Sequence, residues 1–148
     1  MKLSKPAVAS SLVAGLVLGA SLAVVAADAF QDRHMEMEQI GDAMKPLGAI
    51  AKKEAPFDAK VVKENATAIA DHLKKAATLF PAGSGGGESL AKPEIWTDAA
   101  GFGKAMKEAQ AAATALQSVG DEAAYRPALG ALGGACKNCH DKYRLPKK

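Results

Sequence analysis

The sequence predicts an all-α protein, an antiparallel up-down-up-down four-helix bundle. Three observations carry this. Hydrophobic residues make up 49% of the chain but aromatics only 5%, with alanine dominant, a mix that suits closely packed helices with few bulky core residues. Beyond the first thirty or so residues, apolar positions recur at alternating three- and four-residue intervals, which places them on one helical face. β-branched runs and hairpin dipeptides are scarce, which argues against sheets. At 148 residues the chain is expected to hold one domain after processing. A formal net charge of +3 is too small and too scattered to suggest a nucleic-acid partner.

Residues 1–26 read as a signal peptide. Lys2 and Lys5 form a basic start, and Ser11 to Val25 is an apolar stretch too short for a comfortable membrane span. Small residues suit cleavage after Ala26, and Ala27-Asp28-Ala29 offers a second site after residue 29. The mature bundle domain is then residues 27–148, with no membrane segment after cleavage. Losing Lys2 and Lys5 brings the chain closer to neutral.

The first helix is expected from Asp32 to Lys52, with Met37, Ile40, Met44, Leu47 and Ala51 on its apolar stripe. Pro46 should kink it or delete one hydrogen bond. After a turn through Pro56 and Phe57, Asp58 is an N-cap candidate for a second helix over Ala59–Leu79, with Val62, Ala66, Ile69, Leu73, Ala76 and Phe80 as its stripe. Pro81 ends it. The Gly/Ser run from Ala82 to Glu88 is expected to be a mobile crossover loop with no structure of its own. It lacks the preceding strand and the closing G-K-[ST] of a phosphate cradle. Thr97 or Asp98 caps a third helix whose stripe is Phe102, Ala105, Ala109, Ala112, Leu116 and Val119. Gly120 stops it and Asp121 opens the last segment, with Tyr125, Leu129, Leu132, Cys136, Cys139 and Tyr143 in line. Pro127 predicts a late helix start near Arg126 or a bent first turn.

The last segment carries Cys136-Lys137-Asn138-Cys139-His140, which reads C-x-x-C-H, the attachment signature of a c-type haem. The spacing serves the chemistry. Two thiols three residues apart share a helix face, so both can add across the vinyl groups of one porphyrin, and the next residue can present an imidazole to the iron. The other uses of C-x-x-C fit less well. A zinc site wants a second Cys/His pair, whereas His34 and His72 stand alone, and a thioredoxin-like disulfide wants a strand before it. These are the only 2 cysteines in the chain. Both lie on the apolar stripe, so the haem is expected inside the bundle, with a slot beside His140 and one porphyrin edge at the surface.

The chain resembles the class II c-type cytochromes, the cytochrome c′ group. The resemblance spans essentially the whole mature chain. It rests on Arg33 and Met37 in the first helix, on Ala55-Pro56-Phe57-Asp58, on Lys92-Pro93-Glu94-Ile95-Trp96, and on Cys136 through Arg144. It implies an antiparallel bundle with one covalent haem c, a periplasmic home in a Gram-negative bacterium, and in many members a homodimer. It implies thioethers at Cys136 and Cys139, His140 as proximal iron ligand, Arg144 beside the proximal haem face and Arg33 towards the propionates. Without the resemblance, Arg144 reads as a helix-end cation and Arg33 as a solvated charge.

His34 and His72 are expected to face solvent, Glu88 to lie at most near a propionate, and Trp96 and Phe102 to be core. The resemblance places Met37 distal to the iron. Some members keep a bulky apolar residue there and a five-coordinate iron, and low-spin members use a methionine as sixth ligand. Met35 should point elsewhere, and Met44 lies too far along the helix.

Two functions follow from that ambiguity. One is electron carriage by Fe(II)/Fe(III) cycling with redox partner proteins. The alternative is binding of nitric oxide, or carbon monoxide, at a vacant distal position. An enzyme is not expected, because the distal face lacks polar acid/base residues.

Overall fold

A computed structural model describes residues 17–146, and the side chains from residue 29 onward. The basic start at Lys2 and Lys5 and the first part of the apolar leader lie outside the described residues. Helix α1 spans Val17–Ala51, α2 Ala59–Ala76, α3 Glu94–Thr97, α4 Ala99–Gln117 and α5 Glu122–Tyr143. Four are long and antiparallel in sequence order; α3 is a single turn before α4. Among the described residues the only β-type pairing is the isolated bridge between Ala91 and Arg144. No described helix is long and apolar enough to cross a membrane.

The helix ends follow local chemistry. The Asp58 carboxylate accepts from the backbone N–H of Lys60 at 2.8 Å and caps α2. Asp98 does the same for α4 through Gly101 N–H, and Asp121 for α5 through Ala124 N–H. At the end of α1, Lys53 adopts φ 63, and the N–H of Glu54 reaches back to the carbonyl of Ala49 at 2.9 Å, a left-handed C-terminal cap filled by a residue other than glycine.

Several boundaries differ from expectation. Helix α1 begins at Val17, inside the expected leader, and stays helical through Pro46; the carbonyl that Pro46 cannot bond belongs to exposed Asp42, where water can satisfy it. Helix α5 starts at Glu122 rather than near Arg126, because the Asp121 cap fixes the first turn and exposed Pro127 removes only one outward-facing bond. The buried face of α4 is Phe102, Met106, Ala109, Ala113 and Leu116. Met106 and Ala113 replace Ala105 and Ala112 at its centre, since the true stripe is a few tens of degrees round from the one read from spacing alone. The stripe expected for α2 is buried from Val62 to Ala76.

Three sides of the bundle are closed. Helix α1 packs along α2, α2 along α4, and α4 along α5, while among the described residues α1 and α5 make no comparable extended packing. The fourth side therefore has two different ends. At one, Tyr125 is fully buried, donates its phenolic O–H to the carbonyl of Leu47 at 2.5 Å, and meets the Phe57 ring at a centroid distance of 5.7 Å. The other end carries the cysteines.

Candidate functional site

Helix α5 presents one stripe to the interior. Leu132 is 0% exposed and Tyr143 3% exposed, yet Cys136 and Cys139 between them are only half-buried. The stripe is least covered at the two cysteines. On the facing side of α1, Leu47 is fully buried, and Met37 and Met44 are half-buried apolar side chains packed against the core.

The Tyr125–Leu47 bond fixes the register of these helices. Counting from it at about 1.5 Å per residue, Met37 lies roughly 15 Å along α1 and Cys136 roughly 17 Å along α5. Arg33 and Cys139 both lie roughly 21 Å along. Met37 thus stands at about the level of Cys136 along the bundle. Paired thiols, an adjacent imidazole and an unclosed apolar side suit a flat apolar cofactor attached to α5.

The electrostatics are those of a sheltered face. Burial pushes both thiols up from the usual cysteine range. At Cys139 the neighbouring Cys136 adds to the rise, while the charge of Arg144 pulls the other way. Arg144 itself is exposed, and its backbone N–H closes the last turn on the carbonyl of His140 at 3.0 Å. His140 is half-buried.

Arg33 is not a solvated charge. It is 6% exposed and sits 4.8 Å from the centroid of the Phe80 ring. One terminal nitrogen donates to the carbonyl of Leu79 at 2.7 Å and to Ser84 Oγ at 2.9 Å. The other donates to the carbonyl of Ser84 at 2.7 Å and to Ser89 Oγ at 3.3 Å. Desolvation lowers its pKa from the ordinary guanidinium value.

These bonds overturn the expectation that the Gly/Ser crossover lacks structure. Ser84 and Ser89 are buried beneath it. Trp96 adds a second anchor, its indole N–H shared between the carbonyls of Phe80 at 3.1 Å and Pro81 at 3.0 Å. A Cβ on Gly85 would lie 2.7 Å from the Trp96 ring, so glycine is required there by close approach. The far end of the loop joins α5: Lys92 N–H donates to the carbonyl of Tyr143 at 3.0 Å, and Leu145 N–H to that of Leu90 at 2.7 Å. Sequence reading missed this because it weighed the loop's composition and not the acceptors that a buried arginine would need.

His72 also departs from expectation. It is half-buried and its Nδ1 lies 2.5 Å from Glu36, joining α2 to α1. His34 is exposed, stacks on Phe30 and pairs with Glu38. Met35 is exposed, as expected, and so is Glu88. Among the described residues no group of three or more His, Cys, Asp or Glu side chains could hold a bare metal ion.

Comparison with known proteins agrees with this geometry. The family model described as Cytochrome C′ matches residues 28–144. A cytochrome c′ from Rhodopseudomonas palustris is 44% identical over 138 residues, covering 91% of this chain and 94% of that protein. A cytochrome c-556 from Agrobacterium tumefaciens (strain B2A) is 42% identical over 119 residues, covering 79% and 97%. The solved cytochrome c′ of R. palustris superposes with a TM-score of 0.77 at 43% identity, over 82% of this chain and 98% of that one. A nitric oxide complex of a leucine-to-alanine mutant of cytochrome c prime from Alcaligenes xylosoxidans gives 0.75 at 31% identity, over 82% and 97%.

Proposed function

Because this chain belongs to the cytochrome c′ family, we propose that it carries electrons by Fe(II)/Fe(III) cycling of its one covalent haem c. In this reading Cys136 and Cys139 form the thioethers, His140 is the proximal iron ligand and Met37 stands on the distal side. The observation that carries it is the placement of Met37. Met37 is half-buried on α1, packed against the core at the level of Cys136 and Cys139 along the bundle.

When bound, the haem supplies a one-electron couple whose potential depends on axial ligands and burial. The chain's own residues set those terms. Met37 and the two cysteines are partly buried apolar groups packed against the core at one level of the bundle, and they supply the apolar surroundings there. Arg144 brings a cation close enough to influence Cys139, which supports a place beside the proximal face. Arg33 keeps one N–H, on Nε, beyond its four bonds to the loop, and that is the donor it can direct towards a propionate. The family match begins at residue 28, just past the leader, in keeping with its removal after Ala26, and the leader's basic start and apolar stretch are the grounds for a periplasmic site of action. An electron carrier, rather than an enzyme, then works there with a protein redox partner, as a monomer or a homodimer.

A second reading is a five-coordinate iron that binds nitric oxide. The nitric oxide complex of the A. xylosoxidans relative supports it. Relatives named cytochrome c′ and cytochrome c-556 are similar to this chain at nearly equal identity, so Met37 must decide. A methionine–sulfur band towards the red end of the absorption spectrum is expected if Met37 ligates, and Met37→Ala should then convert a low-spin spectrum to high spin and open the iron to carbon monoxide. If Met37 only blocks the distal face, the spin state should stay high and carbon monoxide affinity rise. A Met37→Ala protein with unchanged spectrum and gas affinity would show that Met37 is not distal to the haem.

A further inference from the structure

Between α1, which carries Met37, and α5, which carries the cysteines, the described residues show no extended helix packing. At the closed end Tyr125 ties them, but that contact lies roughly 15 Å away from Met37. At the open end the connection is indirect. Arg33, one turn from Met37, grips the crossover at Leu79, Ser84 and Ser89. The same crossover is bonded to the chain just past His140, through Lys92 to Tyr143 and Leu90 to Leu145. An aromatic row runs beneath it: Arg33 over Phe80, Phe80 edge-on to Phe102 at 4.7 Å, and Phe102 edge-on to Tyr143 at 5.3 Å.

We infer that Arg33 is a positioning residue: through the crossover loop it sets how closely Met37 of α1 approaches the haem side of α5. The loop is a strap across the open end of the bundle, and Arg33 is the buckle on the distal helix. This rests on the reading that Met37 is distal. It goes beyond that reading because Arg33 acts through Ser84 and Ser89 and needs no contact with the cofactor.

Buried donors explain why the strap holds. Four N–H groups of a 6%-exposed guanidinium have protein acceptors, and removing the acceptors would strand a buried charge. Ser84 Oγ also donates to the carbonyl of Pro81 at 2.8 Å, and Ser89 Oγ accepts from Ala91 N–H at 3.2 Å. Each serine therefore joins the arginine to the loop backbone.

The test compares holoprotein variants Arg33→Ala, Arg33→Lys and Ser84→Ala/Ser89→Ala with Tyr125→Phe, which loosens the opposite end. Carbon monoxide affinity, spin state and amide hydrogen exchange are read on each. Arg33→Ala should change carbon monoxide affinity about tenfold, in the usual range for coupling between sites, and should speed exchange at the N–H groups of Lys92 and Leu145. Ser84→Ala/Ser89→Ala should move every readout the same way by less, and Tyr125→Phe should leave exchange at Lys92 and Leu145 alone. Arg33→Lys, which cannot span four acceptors with a planar fork, should resemble the alanine variant.

A folded Arg33→Ala protein with full haem content and unchanged affinity and exchange would overturn the inference. So would effects confined to the Arg33 variants with the serine pair silent, since that pattern marks direct propionate contact. If Arg33→Ala does not fold, the serine pair decides alone, and its silence overturns the proposal. A Met37→Ala protein with unchanged spectrum and gas affinity would remove both this inference and the reading beneath it, whereas a responsive Met37→Ala beside a silent Arg33→Ala removes only this one.

Discussion

The two ends of the side between α1 and α5 are built in opposite ways. At the Tyr125 end a side chain with no exposed surface joins one helix directly to the other, with Phe57 packed over it. At the Cys136–Cys139 end the described residues show no extended packing between the two helices. There α5 is fastened to α4, where the Asp98 carboxylate takes Lys142 Nζ at 2.6 Å and the Tyr143 hydroxyl at 2.8 Å, and α1 is fastened to a loop. The difference separates two tasks. One end fixes register by ordinary core packing, and at the other the two helices are fastened to different partners, α5 to α4 and α1 to the loop.

The largest effect should come from the open end. His140→Ala, or alanine at Cys136 and Cys139 together, should prevent a correctly held haem, because the sequence offers no other anchors of comparable strength. Pyridine-haemochrome spectra of the purified variants check this, and a normal spectrum from the double cysteine variant would refute it.

Core truncation comes next. Leu132→Ala, at a fully buried position, should cost about 2–5 kcal/mol in denaturant unfolding. Met44→Ala should cost less in the haem-free chain, where its side chain is only half-buried, and more in the holoprotein if the haem covers it. Equal costs with and without haem would place Met44 outside the haem contact.

At the closed end, Tyr125→Phe keeps the ring and its packing but removes the bond to Leu47. A loss of about 1 kcal/mol is expected from one buried hydrogen bond, read by urea unfolding.

The smallest effect is one of pH. Hydrogen bonds from Lys142, from Tyr143 and from the backbone of Gly101 hold the Asp98 carboxyl below the usual aspartate range. A folded-state pKa below the unfolded one gives stability that is present above about pH 4 and is lost as pH falls through the folded value. Asp98→Asn should therefore be less stable at neutral pH and show a shallower decline in acid. An unchanged acid limb would mean that the Asp98 cluster contributes little to holding the end of α5.

Much of this was legible in the sequence. Spacing alone gave the α2 stripe, because its charges lie cleanly off it. Asp58, and Thr97 or Asp98, were readable as caps from residue type and position, and C-x-x-C-H pointed to a covalent haem c by itself. What was not legible depended on long-range partners. The burial of Arg33 requires four acceptors lying 46 to 56 residues away, and nothing local to Arg33 announces them. The half-burial of His72 depends in the same way on Glu36 in another helix. The shift of the α4 stripe to Met106 and Ala113 escaped because alanines surround both candidate stripes, and alanine gives spacing little to distinguish them.

The bond from Tyr125 to Leu47 spans 78 residues of sequence, whereas among the described residues the extended helix contacts join the four long helices in consecutive pairs. Chains rich in local contacts fold quickly, and contacts between distant segments must first overcome the entropy of closing a long loop. The order of assembly follows from that asymmetry. Adjacent helices should zip together first, and closure between α1 and α5 should come last, so the side of the bundle with the fewest contacts is also the final one to form.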